Sequence, residues 1–304
     1  MKNKSTTITT LLIPALTVLL LLLLSLSNRI FLTQSVGIES ANEKLLLICV
    51  LQIIIFIFPC IIYYYLRGRS LNTPFMVSST NNGGLLFVIE SAFLLISGNL
   101  LIKCFYYIGL GSLPSGIDHI VPDAASVSDA SPAAVILAVS LVPAICEELF
   151  FRGIILAEYR VFGSFNAVLF SSVCFAMIHF SISAFPLYLF SGIVLGAAAT
   201  VTKSIFIPII IHFISNLLSI YASDSFIRVT VQKSGGFFTA FIVGVIMLLS
   251  LVLVLSNTEK VFYKRADKKD TVLPSKSFPN LSAVFLSPGF FGLILVFILI
   301  VVFN

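Results

Sequence analysis

Nine long apolar runs follow one another along the chain, at roughly 9–27, 45–66, 84–107, 133–160, 163–181, 184–201, 205–222, 236–256 and 284–303. A helix needs about 20 apolar residues to cross the hydrocarbon core of a bilayer. In lipid, a backbone must also satisfy its own hydrogen bonds within the segment. The runs therefore read as helices, with 184–201 and 205–222 the short ones. The expected fold class is all-α, a multi-pass transmembrane helical bundle of eight to nine spans. Hydrophobic residues make up 59% of the 304 and charged residues only 10%, against about 25% charged in a soluble domain. That balance excludes a soluble globular protein, a disordered chain and a nucleic-acid-binding protein. The partners it implies are the lipid bilayer and whatever reaches a site within it, with no nucleic acid.

The first run follows Lys2 and Lys4, and no A-x-A-like site follows it, so it reads as a retained helix rather than a signal peptide. The cysteines Cys49, Cys60, Cys104, Cys146 and Cys174 all sit in apolar runs without a CxxC pair. They read as packing residues, not as a disulfide framework or zinc site. Three stretches divide the chain. Residues 1–132 hold spans 1–3 and an acidic loop, 133–222 hold a polar-containing helical core, and 223–304 hold the C-terminal helices with a basic loop. Basic residues bias the orientation. Lys2, Lys4, Arg67, Arg69, Arg152, Arg160, Lys203 and the cluster from Lys260 to Lys276 fall on one side of an alternating bundle. Arg29, Lys44, Arg228 and Lys233 fall on the other. The rule that basic loops stay inside predicts a cell-membrane protein with a cytoplasmic N-terminus.

Charged and polar residues inside such runs are costly, on the order of 2.5–3.5 kcal/mol at the bilayer centre for a charged group. Three spans carry them. The fourth reads Pro143-Ala-Ile-Cys-Glu-Glu-Leu-Phe-Phe-Arg-Gly153, the fifth contains Phe175 and His179, and the seventh contains His212 and Asn216. Glu148 and Arg152 are four residues apart, share a helical face and can pair. Glu147 is rotated about 100° from Glu148 and can point elsewhere. His212 and Asn216 again share one face. If the three spans pack together, a carboxylate and an imidazole can hold a water and take its proton. A second imidazole and an amide can donate to a developing oxyanion. The same groups suit a divalent metal such as zinc, with Glu147, His179 and His212 as ligands. No H-E-x-x-H motif is present.

The ordered set E-E-x-x-x-R-G (Glu147, Glu148, Arg152, Gly153), F-x-x-x-H (Phe175, His179) and H-x-x-x-N (His212, Asn216) resembles the CPBP family, the Abi or type II CAAX prenyl endopeptidase family of intramembrane proteases. The resemblance covers roughly 133–222. It implies an intramembrane endopeptidase that hydrolyses peptide bonds of membrane-associated proteins or peptides. It implies that Glu147 activates water together with His179, that His212 and Asn216 form the oxyanion site, and that Glu148 and Arg152 support them. Both a glutamate-bound water and a metal are compatible with it. The ninth span is extra to the family's usual eight-helix plan.

Each group also has a plainer reading. A Glu–Arg pair four residues apart is commonly structural, and membrane histidines often make interhelical hydrogen bonds. Glu90, Asn99 and Lys103 in the third span belong to no motif. Gly192 and Gly196 form a GxxxG that favours close helix packing. Two other functional classes use the same residues. One is a proton-coupled transporter, which favours inverted repeats that this sequence lacks. The other is a non-cleaving membrane protein of the bacteriocin-immunity type.

Overall fold

The computed structural model describes residues 2–34, 37–67, 84–114, 129–220, 227, 229–231, 235–266 and 285–303. Among the described residues every regular element is a helix, as expected for the fold class. The main helices are α1 (Lys2–Gln34), α2 (Ala41–Arg67), α3 (Gly84–Leu110), α4 (Pro132–Phe162), α5 (Ser164–Met177), α6 (Phe185–Thr202), α7 (Phe206–Leu218), α8 (Gly236–Ala266) and α9 (Pro288–Phe303). Each coincides with one of the nine apolar runs. The middle of the acidic loop, with His119, and most of the basic loop lie outside the described residues.

Length and composition qualify five of these helices to cross a membrane, in α2, α3, α4, α6 and α8. The apolar stretches Leu11–Ser27, α5, α7 and α9 are shorter. α5 ends at Met177 and α7 at Leu218, several residues before their apolar runs end. At 1.5 Å per residue each is roughly 20 Å long, short of a hydrocarbon core of about 30 Å.

Two large apolar clusters and a smaller one around Cys104 and Ala240 hold the bundle. One joins α1, α2, α4, α5 and α9 around Leu20, Phe150, Phe151, Tyr159, Phe170 and Leu293. The other joins α3, α6 and α7 around Leu95, Leu195 and Ile211. α3 also lies along α8, and α7 packs against α3, α4 and α6. The GxxxG in α6 brings that helix hard against α5. A Cβ on Gly192 would meet the Ser172 Cα at 2.8 Å, and one on Gly196 would meet Val168 Cγ1 at 3.2 Å. At Gly192 the obstacle is backbone, whereas at Gly196 the Val168 side chain would have to give by a few tenths of an ångström. α6 ends where Lys203 turns into the left-handed region at φ 51°.

α4 is not uniform. Ser131 caps it, its hydroxyl accepting from the Ala134 N–H, with Pro132 in the first turn. It then widens into a π-helical stretch at Ile136–Leu141, where the Val142 N–H reaches back to the Leu137 carbonyl. Pro143 follows directly; it cannot donate, and its ring would crowd the carbonyl four residues earlier. The widened turn accommodates it. A second π stretch runs Phe151–Leu156, beginning three residues after Glu148. There the Ser171 hydroxyl of α5 donates to the Phe151 carbonyl at 3.1 Å. π turns of this kind recur at functional sites.

Candidate active site

The α-helical segment Val142–Phe150 between those two stretches carries Glu147 and Glu148. Both carboxylates turn inward toward α7 and meet opposite nitrogens of one imidazole. His212 Nδ1 lies 2.9 Å from Glu148 Oε1, and His212 Nε2 lies 4.0 Å from Glu147 Oε2. Arg152 donates through Nη1 to the same Glu148 Oε1 at 2.7 Å. Its Nη2 donates to the Gly192 carbonyl of α6 at 3.0 Å. Relative exposures of 0% for Glu148, 2% for Arg152, 6% for His212 and 8% for Glu147 exclude bulk water as their main partner.

Phe175 of α5 is the hub of the group. The Arg152 guanidinium sits 4.8 Å over its ring centroid, a cation–π contact. Its ring also meets His179 at 5.3 Å, His212 at 5.7 Å and Phe151 at 5.4 Å, all edge-on. Phe175 thus walls the side of the site where its spacing to His179 puts it, and it spans both histidines.

His179 departs from expectation. It lies beyond the end of α5, in a turn where its N–H reaches the Ala176 carbonyl at 3.4 Å. Phe180 follows with a positive φ of 46°, which reverses the chain toward α6. The His179 ring then stacks flat on Tyr188 of α6, with centroids 3.4 Å apart and planes 4° apart. It lies within electrostatic range of Glu147, as His212 does. Asn216 is half-buried one turn beyond His212 on α7. Arg152, which the charge tally treats as a loop residue, is instead part of the buried site.

Sequence reasoning missed Tyr188, the Gly192 carbonyl and the Glu148–His212 bond. All three depend on which helices pack together. Only Gly192 left a trace, in the GxxxG pattern of α6.

Some polar capacity is left over. Glu147 Oε2, Glu148 Oε2 and Arg152 Nε are buried without a hydrogen-bond partner among the described residues. Such groups normally find a partner in protein or ordered water. At Glu147 the unpartnered oxygen is Oε2, the atom that faces His212. The expected metal set fares less well. Among the described residues, no group of three His, Cys, Asp or Glu side chains converges to hold a metal ion. His179 is held against Tyr188, and Glu147 and His212 present atoms 4.0 Å apart. Glu147, His179 and His212 therefore do not fit a zinc centre as they stand.

A comparison with protein families gives this geometry a context. Residues 129–218 match the family model described as type II CAAX prenyl endopeptidase Rce1-like. The match runs from the residues before α4 to the end of α7 and so contains every motif residue. It carries the CAAX prenyl endopeptidase side of the resemblance. The Rce1-like segment is about a third of the chain; α1–α3, α8 and α9 lie outside it. No curated protein and no solved structure matches the chain.

Proposed function

We propose that the chain is a multi-pass intramembrane endopeptidase that hydrolyses peptide bonds of membrane-associated proteins or peptides. The observation that carries the reading is the convergence of Glu147, Glu148, Arg152, His179 and His212 within a segment matched by an Rce1-like family model.

Glu147 is the general base. As water attacks the scissile carbonyl carbon, its proton passes to the Glu147 carboxylate and the carbonyl electron pair moves onto oxygen. Asn216 supplies an amide donor to that oxyanion. When the C–N bond breaks, Glu147 returns the proton to the departing amine nitrogen. The two imidazoles flank the carboxylate and order the water.

The decisive experiment compares membrane proteomes of cells carrying wild type and Glu147→Ala. Substrates should accumulate at full length in the variant, and their new termini should disappear. Indistinguishable proteomes would remove the endopeptidase reading.

All nine apolar helices are taken to traverse or enter the bilayer, with the N-terminus cytoplasmic. The basic bias survives the loss of Arg152 from the tally, because the cluster after α8 dominates it. This orientation puts the turn between α5 and α6, with His179, on the outer side. Ser183 in that turn is exposed, whereas the Ser181 hydroxyl is buried and accepts from the Ala184 N–H at 3.0 Å. In a cysteine-free background, Ser183→Cys should react with an impermeant thiol reagent on intact cells. Reaction only after lysis would reverse the topology.

A further inference from the structure

The turn between α6 and α7 closes one helix end and leaves the other open. At the end of α6, Lys203 takes the left-handed conformation, and the Thr202 hydroxyl donates to the Ala198 carbonyl at 2.7 Å. α7 begins without such help. Its N-cap is Ile205, which makes no side-chain capping bond. Serine, threonine, aspartate or asparagine is favoured there, because a side-chain oxygen can take up a helix N–H. Ser204 comes one residue too early. It is only 1% exposed, and its hydroxyl has no hydrogen-bond partner among the described residues.

The first turn of an α-helix presents N–H groups with no intrahelical acceptor. In α7 these belong to Phe206 and Ile207, whereas Pro208 has none. Residues 203–207 therefore gather backbone donors, a buried hydroxyl and the half-buried Lys203. The positive end of the α7 dipole acts in the same direction. Every one of these groups favours an anion.

We propose that this turn binds the phosphate of an anionic phospholipid, with an acyl chain lying along α7. The phosphate oxygens accept from the Phe206 and Ile207 N–H groups and from the Ser204 hydroxyl, and Lys203 balances the charge. Two further features select a lipid over a free ion. Phe206 and Ile210 are 53% and 44% exposed and stand one turn apart on one face of α7. They lead from the phosphate position toward the bilayer interior, as an acyl chain does. The turn also falls on the side that carries Lys2, Lys4 and the basic cluster after α8. That is the cytoplasmic side in the orientation taken above, where anionic lipids give the surface its negative potential. The proposal rests on that orientation and not on the endopeptidase reading; it holds whether or not the chain cleaves peptides.

Thermal unfolding of the full chain in nonionic micelles tests it, because a ligand bound to the folded state raises the midpoint. Dioleoylphosphatidylglycerol should raise the midpoint saturably. Dioleoylphosphatidylcholine, which has no net charge, should do so only weakly, and inorganic phosphate at the same concentration hardly at all. Lys203→Gln and Ser204→Ala should each weaken the apparent affinity for the phosphatidylglycerol about tenfold, the effect of losing one hydrogen bond to a charged group. Ser204→Asp sets a carboxylate among the donors and should abolish the response. If Ser204→Asp does not fold, the other two variants still decide. Equal responses to the two lipids overturn the proposal, as does a phosphatidylglycerol response that the substitutions leave unchanged. A response to inorganic phosphate as large as that to the lipid also overturns it, since the acyl chain would then have no part.

Discussion

The site between α4 and α7 and the seam where α3 meets α6 and α8 both bury carboxylates and amides among apolar helices, yet they use them differently. In the seam the groups pair off. Asn257 of α8 donates to Glu90 of α3, and Asn99 of α3 exchanges hydrogen bonds with the Ser191 hydroxyl of α6 at 3.1 and 3.2 Å. In the site, one oxygen of Glu148 serves both Arg152 and His212, while Glu147 Oε2, Glu148 Oε2 and Arg152 Nε have no partner among the described residues. Paired polar groups join helices. Unspent hydrogen-bonding capacity, held rigid by packing, is what a reacting water or substrate needs. The Rce1-like segment includes Glu147 and His212, and of the four seam residues only Ser191.

The sharpest way to break this contrast is to remove a carboxylate from each region. Glu147→Ala should cost the full contribution of a general base, about 10²–10⁴-fold in rate, while the protein still inserts. Glu90→Gln should leave cleavage near the wild-type rate, since the amide can still accept from Asn257. Site-specific cleavage of a substrate identified from the proteomes measures both. Equal losses would erase the distinction between site and seam.

The difference in legibility between the two regions has a physical basis. Apolar runs of near-span length showed where all nine helices lie. The spacing of Glu148 to Arg152 forecast their bond, because residues four apart in a helix meet on one face whatever surrounds it. The turn at His179 was not legible. Its run stays apolar to Phe180, and the helix stops for a chain reversal that hydropathy cannot register. Nor did any pattern show that His212 bridges the two glutamates. That follows from the axial registration of α4 against α7, which the π turns around Pro143 and Gly153 adjust. The Glu90–Asn257 bond was equally hidden, since its partners are 167 residues apart.

Arg152 offers the next largest effect. Breaking a buried pair by removing one partner costs about 3–5 kcal/mol, because the other charge is stranded. Arg152→Ala should therefore destabilise the protein strongly, read as a lower unfolding midpoint in mixed micelles. Arg152→Lys should recover only part of the loss, because a lysine cannot serve Glu148 and the Gly192 carbonyl with a planar fork. A variant as stable as wild type would mean that Glu148 does not depend on its cation. Asn216→Ala tests the other end of the site. Loss of one oxyanion donor costs about 10²–10³-fold, and it should fall on kcat with KM and stability little changed. An unaltered kcat would remove Asn216 from the mechanism.

The smallest expected effect lies in the seam and sharpens the comparison most finely. Asn99 and Ser191 satisfy each other at the crossing of α3 and α6, a few residues from the glycines that let α6 press on α5. Interhelical hydrogen bonds of this kind couple by about 0.6 kcal/mol on average, because the separated helices find other partners within the membrane. Ser191 has such a substitute at hand: its hydroxyl also reaches the Leu187 carbonyl at 3.0 Å. A double-mutant cycle of Asn99→Ala and Ser191→Ala should thus give a coupling of about that size. The corresponding cycle of Glu148→Gln and Arg152→Ala should give several times more, since both charges are buried away from water. Both cycles can be read from unfolding in mixed micelles. If the Asn99–Ser191 coupling equals that of Glu148–Arg152, the seam is as tightly built as the site, and partner count alone does not separate glue from chemistry.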